Sequence, residues 1–359
     1  MPPYDAFLLV SFGGPEGPAD VMPFLGNVTR GRAVPPERLE QVAEHYYRFG
    51  GASPINQQCR DLAALVEKDF AAGRVDLPVY WGNRNWTPYL ADTVRAMAAD
   101  GVRRAIAFVT SAYSSYSSCR QYLDDIELAR AQAGPGAPRI DKIRPYFNDP
   151  GFIEPLADAA RRAVESLPGP VQGGAQLVFT AHSIPAAMAA ASGPAGRGGY
   201  PAQLAEVASL VAERVGGARP WRLAYSSRSG PPSQPWLEPD VSDCLTELAS
   251  AGAPAVVLVP AGFVSDHMEV IYDLDVEAAQ TAGRLGLPLA RAATPGTSPG
   301  FVTMITELVR ERCGGPPRPA LGTLAALPDI CQNGCCPASA PALASPPGGR
   351  RSSPPGGRP

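Results

Sequence analysis

Pro254-Ala-Val-Val-Leu-Val-Pro260 runs almost directly into Phe263-Val-Ser-Asp-His-Met-Glu-Val-Ile-Tyr-Asp-Leu-Asp-Val-Glu277. The first segment is an unbroken apolar run bounded by prolines, which reads as a buried strand. The second changes character at once. Asp266, His267 and Glu269 arrive together, and Asp273 and Glu277 follow at intervals of four. With a helix over 266–281, Glu269, Asp273 and Glu277 form one row, because residues four apart are neighbours on a helix face. Like charges in a row repel and cost helix stability. A solvated acidic face is one reading; a cation that meets the row is the other. A histidine and acids gathered at the carboxyl end of a strand favour a functional site.

The same alternation runs through most of the chain. Strands are expected over 6–12, 77–81, 104–110 and 140–144, then over 176–181, 221–225, 255–260 and 287–290. Helices are expected over 19–25, 37–47, 56–71, 88–98 and 120–130, then over 151–166, 202–215, 239–249, 266–281 and 299–312. Helices of this length between short apolar strands imply parallel sheets with crossovers. The halves also resemble each other. Trp86 and Trp236 lie 150 positions apart, and Gly101 and Gly252 lie 151 apart, in similar strand–helix–strand settings. Chance likeness between two βαβ units is the alternative to duplication. The expected fold is therefore α/β, with two similar doubly wound, Rossmann-like domains and a four-stranded parallel sheet in each. The domains are expected at 1–150 and 151–320, followed by a cysteine-rich segment at 321–336 and a disordered tail at 337–359. That tail is low-complexity Pro, Ala, Gly, Ser and Arg, which cannot bury a core.

Composition narrows the function. The 359 residues are 45% hydrophobic and 18% charged, as expected of a globular chain. A formal net charge of −3 gives no electrostatic case for nucleic acid. Lys68 and Lys142 are the only lysines, and His45, His182 and His267 the only histidines. The start of the chain has no signal-peptide pattern, and no apolar run reaches the length of a membrane span. A cytoplasmic protein with reduced thiols is expected. No Gly-x-Gly-x-x-Gly opens a helix and no Gly-Lys-Ser/Thr loop is present, which argues against nicotinamide and P-loop chemistry.

The candidate chemistry falls after predicted strands. His182 follows Leu177-Val-Phe-Thr-Ala181 and suits metal binding or proton acceptance near neutral pH. A structural histidine bonded to a loop is the simpler alternative. His182, His267 and Glu269 together would offer two imidazoles and a carboxylate to a metal. Phe12, Tyr116 and Trp236, with other aromatics near strand ends, suit a flat aromatic ligand, although single aromatics more often pack in a core. Arg30, Arg32, Arg48, Arg84 and Arg228 suit ligand carboxylates. Cys331-Gln-Asn-Gly-Cys-Cys336 is dense, and its three thiols want a fourth ligand, for zinc or for an iron–sulfur cluster.

Four motifs occur in order that resemble ferrochelatase. They are Leu8-Leu-Val-Ser-Phe-Gly-Gly-Pro-Glu16, Tyr47-Arg-Phe-Gly-Gly-Ala-Ser-Pro-Ile55, Thr180-Ala-His-Ser-Ile-Pro185 and Phe263-Val-Ser-Asp-His-Met-Glu269. The resemblance covers about residues 4–336. Asn83-Arg-Asn-Trp86 and residues 111–119 resemble the actinobacterial branch. That branch is similar to the coproporphyrin-using enzymes of Gram-positive bacteria, and several of its members carry a two-iron two-sulfur (2Fe-2S) cluster.

The resemblance implies a chelatase fold with a porphyrin in the cleft between the domains. It implies insertion of ferrous iron, as substrate, with release of two protons, in heme biosynthesis. The expected porphyrin is coproporphyrin III. Protoporphyrin IX, another divalent metal such as cobalt, and a non-catalytic heme or metal carrier are the alternatives. Carried over by motif, His182 ligates the metal or takes a pyrrole proton, and Glu269 faces it across the macrocycle. His267 and Asp266 assist metal delivery, and Asp273 and Glu277 continue the acidic path. Phe12, Arg30, Arg48, Ser53, Arg84, Tyr116 and Trp236 are the implied porphyrin contacts. Cys119, Cys331, Cys335 and Cys336 are the implied cluster ligands, although adjacent Cys335 and Cys336 depart from the spacing of animal enzymes. Phe12 stands where some Gram-positive relatives have a metal-contacting tyrosine, and it cannot make that contact. A monomer is expected, with a heme-pathway enzyme as a partner.

Overall fold

The computed structural model describes residues 4–31, 34–230, 233–332 and 334–338. In the first half the strands are β1 (Ala6–Ser11), β2 (Val79–Asn83), β3 (Arg104–Val109) and β4 (Arg139–Lys142). In the second they are β5 (Gln176–His182), β6 (Trp221–Ser226), β7 (Val256–Val259) and β8 (Leu289–Arg291). Each set forms a four-stranded sheet, in the orders β2-β1-β3-β4 and β6-β5-β7-β8. Every pairing is parallel. The expected α/β class with two similar doubly wound sheets is therefore the observed one.

Both sheets carry the same strand permutation. Gly101 and Gly252 also match, each at positive φ (81° and 78°) just after the helix that precedes the third strand of its sheet. Helices cover both faces, so the central strands are buried along most of their length. All six residues of β1 are buried, as are all four of β7.

Two boundaries differ from expectation for identifiable reasons. β2 runs over Val79–Asn83 rather than 77–81. Pro78 has no N–H to give to the ladder, and its carbonyl accepts from the Phe7 N–H at 2.9 Å. Pairing then continues to Gly82 and Asn83 against Val10 and Ser11. The acid-bearing helix starts at Met268 rather than 266. The Asp266 N–H donates to Gln58 Oε1 at 2.9 Å, from the helix Ile55–Gly73, and His267 is extended. That helix runs as Met268–Val270, Ile271–Ala278 and Ala279–Leu285, and the middle piece has the widened turns of a π-helix. Such turns are rare and concentrate at functional sites.

One apolar core runs through the junction near residue 150. Phe301, on the helix Pro299–Arg312, packs its ring near those of Phe108, Tyr146 and Phe152, at 6.0, 6.0 and 6.4 Å between centroids. The Tyr113 hydroxyl donates to the Ala261 carbonyl at 2.7 Å, tying the loop after β3 to the loop after β7. These contacts hold the carboxyl ends of the two sheets toward a shared cleft. Among the described residues no helix is long and apolar enough to cross a membrane. Most of the 337–359 tail lies outside the described residues.

Candidate active site

The cleft is built from strand ends. After β1, Gly13 (φ +82°) and Gly14 turn the chain back. A Cβ on Gly13 would meet the Asn83 side chain at 2.9 Å, and one on Gly14 would meet Ser53 at 2.7 Å. The glycine pair therefore lets Asn83 and Ser53 pack against this turn. Beneath it, Asn56 accepts from the Gly14 N–H and from Asn83 Nδ2, both at 3.2 Å.

His182 is the last residue of β5. Its Nδ1 lies 2.5 Å from the Ser183 carbonyl oxygen, so that nitrogen carries a proton and Nε2 is left to face the cleft. The Tyr200 hydroxyl donates to the His182 carbonyl at 3.1 Å and fixes the backbone. Nε2 lies 3.6 Å from Glu269 Oε1, and His267 Nδ1 lies 4.0 Å from Glu269 Oε2. Glu269 is thus flanked by both imidazoles.

The two partners keep 32% and 47% of their side-chain surface accessible. Burial pulls the His182 imidazole down. The Glu269 carboxylate and the Ser183 carbonyl outweigh it, and the pKa rises to about 8. Burial pushes Glu269 up, but the two histidines hold it down at about 2. Burial leads in lowering His267.

Asp273 lies one helical step further. Burial pushes it up to about 7, against a hydrogen bond from Ser227 and reinforced by the charges of Glu269 and Glu277. Ser227 holds its hydroxyl there from a left-handed backbone (φ 61°), at the end of β6. Burial and Asp240 raise Glu277, with Arg38 opposing. The acidic row is therefore real. It is tolerated because its members do not share one environment: the histidines keep the Glu269 carboxyl low, and burial holds the Asp273 carboxyl well above the usual carboxylate range.

A small apolar roof covers the row. The helices Val21–Val28 and Pro36–Tyr47 contribute Phe24 and Tyr46, which pack with Met268, Phe12, Trp86 and Tyr272. Phe24 meets Phe12, Tyr46 and Trp86 edge-on, at 6.3, 5.9 and 6.2 Å. Tyr46 is buried beside Glu269 and Asp273, and burial and those charges push its phenol upward. His45 stacks on Tyr272 at 3.6 Å and 9°. A cavity of about 480 Å³ beside this stack is lined by Glu44, His45, Tyr47, Arg48 and Tyr272.

The other expected contacts are placed unevenly. Phe12 sits in the roof. Arg48 is exposed on the cavity beside the stack. Arg30 is exposed, and its guanidinium donates to Asn27 Oδ1 at 2.6 Å. Ser53 is buried under Gly14, and its N–H donates to the Pro15 carbonyl at 2.8 Å. Tyr116 is half-buried and opens the widened turn Tyr116–Arg120. Trp236 bridges to Pro185 and packs on Gly230, and its buried indole N–H meets no acceptor among the described residues. Arg84, an expected porphyrin contact, is itself paired. Its guanidinium pairs with Asp125 and lies over the rings of Tyr122 (4.5 Å) and Phe12 (5.6 Å), so it buttresses the roof from behind. Arg32 lies outside the described residues. Sequence reasoning missed Phe24, Tyr46, Met268 and Tyr272. Tyr46 directly precedes the Tyr47-to-Ile55 motif, which was the available signal.

A second gathering lies away from the cleft. Cys119, Cys331, Cys335 and Cys336 line one cavity of about 190 Å³, together with Arg120, Lys142, Arg312, Asp141 and Asp329. Cys335 and Cys336 hold their sulfurs 3.7 Å apart, and the Gly193 N–H donates to Cys336 Sγ at 3.2 Å. Burial and neighbouring thiols push Cys331 up to about 12 and Cys335 up to about 11. Among the described residues no three of His, Cys, Asp and Glu converge on a point that would hold a single metal ion. The four thiols share the wall of that one cavity.

The ferrochelatase family model matches residues 4–313. The chain is 54% identical over 355 residues to the coproporphyrin III ferrochelatase of Streptomyces coelicolor, covering 94% of this chain and 95% of that one. It is 57% identical over 339 residues to the coproporphyrin III ferrochelatase of Frankia alni, covering 92% of this chain and 86% of that one. Among solved structures, the cobalt complex of the sirohydrochlorin chelatase SirB from Bacillus subtilis subspecies spizizenii is similar with a TM-score of 0.51. That likeness covers 86% of this chain and 95% of the other at 12% identity, and it speaks to the fold alone.

Proposed function

The chain belongs to the ferrochelatase family, and we propose that it inserts ferrous iron into coproporphyrin III with His182 and Glu269 at the reacting centre. The reaction joins ferrous iron to the porphyrin nitrogens and releases two protons from the pyrrole N–H groups. It therefore needs a proton acceptor, a path for protons and a grip on a flat macrocycle.

His182 supplies the acceptor. The Ser183 carbonyl anchors Nδ1, which leaves Nε2 as the working nitrogen. Near neutral pH the His182–Glu269 pair holds one proton, and its affinity near 8 matches the pH at which it must exchange that proton. Asp273, with a pKa of about 7, is the adjacent group of matched affinity, and Glu277 is next along the row. We assign these two to carrying protons away from the macrocycle, and His267 to holding Glu269 ionised as the metal arrives. Phe12, Phe24, Tyr46, Trp86 and Met268 form an apolar wall suited to a porphyrin face. Arg30 and Arg48 are the exposed cations we assign to the substrate carboxylates.

The observation that carries the assignment is the 3.6 Å approach of His182 Nε2, at the end of β5, to Glu269 Oε1, on the helix that follows the neighbouring strand β7. Anaerobic turnover with ferrous iron and coproporphyrin III, alongside protoporphyrin IX, tests it. Catalytic metalation favouring coproporphyrin III is expected. A stoichiometric porphyrin complex without turnover would overturn it.

We also assign Cys119, Cys331, Cys335 and Cys336 to a two-iron two-sulfur cluster. A two-iron core is wider than a single ion, and its thiolates ring it rather than converge on one point. Four thiols around one cavity fit that demand. When bound, the cluster supplies a charged centre able to hold an extra electron. Cys336, whose sulfur accepts from the Gly193 N–H, and Cys119, in the turn Tyr116–Arg120, would hold it together with Cys331 and Cys335. Iron and sulfide content of anaerobically purified protein tests this assignment. A reducing cytoplasm suits all seven cysteines, none of which is in a disulfide.

A further inference from the structure

Lys142 ends β4 with only 6% of its surface accessible. It is one of two lysines in a chain whose other cations are arginines. Its ammonium donates to the Ile143 carbonyl at 2.8 Å, the group next to it in the chain. It lines the four-cysteine cavity, and its charge acts on Cys331.

Every other charged side chain on that cavity has an opposite partner. Arg120 pairs with Asp124 at 2.8 Å, and Asp141 with Arg104 at 2.7 Å and Arg139 at 3.1 Å. Arg312 pairs with Asp329 at 3.5 Å. Among the described residues Lys142 has no ion pair. A buried cation satisfied only by a neighbouring carbonyl costs folding free energy unless an anion meets it. Beside those paired charges and Gln332, the polar groups on the cavity wall are the four thiols.

We infer that Lys142 is the internal counter-charge of the anionic centre formed by the four cysteine thiolates. The inference rests on the cluster assignment above and deepens it. Two ferric ions, two sulfides and four thiolates carry a net negative charge, which grows by one on reduction. A fixed cation at the cavity wall therefore favours the reduced state and raises the reduction potential. Ammonium suits the task because it is a compact point charge, whereas guanidinium is a planar fork shaped for paired carboxylate oxygens.

The test uses the full chain, purified anaerobically with its iron and sulfide, as wild type, K142M, K142Q and K142R. Spectroscopic redox titration should give K142M and K142Q a reduced-to-oxidised ratio at least tenfold lower at a fixed potential. That corresponds to a midpoint lower by about 59 mV for one electron, with K142R near wild type. Thermal unfolding supplies a second readout of opposite sign. After chelator stripping, K142M should unfold at a higher temperature than wild type, because an uncompensated buried charge is gone. With the cluster loaded, the order should reverse. K142Q carries the same comparison should K142M fail to fold. A loaded K142M or K142Q that titrates at the wild-type potential would overturn the inference while leaving the cluster intact. Wild-type protein that takes up no iron and sulfide on anaerobic reconstitution would overturn the cluster assignment, and the inference with it.

Discussion

His182 Nε2 and Glu269 Oε1 stand 3.6 Å apart, and their affinities for protons move in opposite directions, to about 8 and about 2. The two shifts describe one coupled pair and are not separate contributions. Its effect on stability has a defined sign. The histidine value stands above its ordinary 6.5, so that stabilisation is fully present below 6.5 and is lost as pH rises through about 8. The glutamate value stands below its ordinary 4.5, so that stabilisation is present above 4.5 and is lost as pH falls through about 2.

The pair also sets the pH dependence of catalysis. Nε2 accepts a proton only after giving up the one it shares with Glu269, so kcat/KM should rise with pH through about 8. In Glu269→Gln the supporting charge is gone, and the rising limb should move down toward 6.5 while the maximal rate falls. A limb that stays near 8 in that variant would remove Glu269 from control of His182.

The four-thiol centre is tested by its colour. Freshly purified wild-type protein should show visible charge-transfer absorbance, and Cys331→Ser should lose it together with iron and sulfide. An unchanged spectrum in Cys331→Ser would take that residue out of the ligand set.

Phe301 joins the two halves from the helix Pro299–Arg312, fully buried against Phe108, Tyr146 and Phe152. Its truncation to alanine should cost about 3–5 kcal/mol, read as a lower midpoint in denaturant unfolding. A loss under about 1 kcal/mol would mean the junction repacks around the cavity.

Much of this was legible in the sequence, for physical reasons that also mark where legibility stops. β1 and β7 are buried on both faces and so read as unbroken apolar runs. Once those strands are placed, the chemistry at their ends is placed with them, which is why His182 and Glu269 stood out together. The motifs then named the porphyrin, which spacing alone does not. The roof was hidden because Phe24, Tyr46 and Tyr272 lie on amphipathic helices whose apolar residues look like ordinary core. Their convergence over the acidic row is a long-range contact. The pairing of Arg84 was not legible, because nothing local announces Asp125 as its partner. The first turn of the acidic helix was misplaced because Gln58, far away in sequence, takes the Asp266 N–H. Lys142 was visible as a rare lysine, but its isolation from carboxylates exists only in the fold.

The most direct measurement is anaerobic stopped-flow metalation of coproporphyrin III by wild type and His182→Ala, with porphyrin binding followed separately by fluorescence. The expected result is porphyrin binding within a few-fold of wild type and insertion slowed by about 10²–10⁴-fold, the range for loss of a positioned proton acceptor. Near-normal insertion by His182→Ala, with binding intact, would contradict the account at its centre.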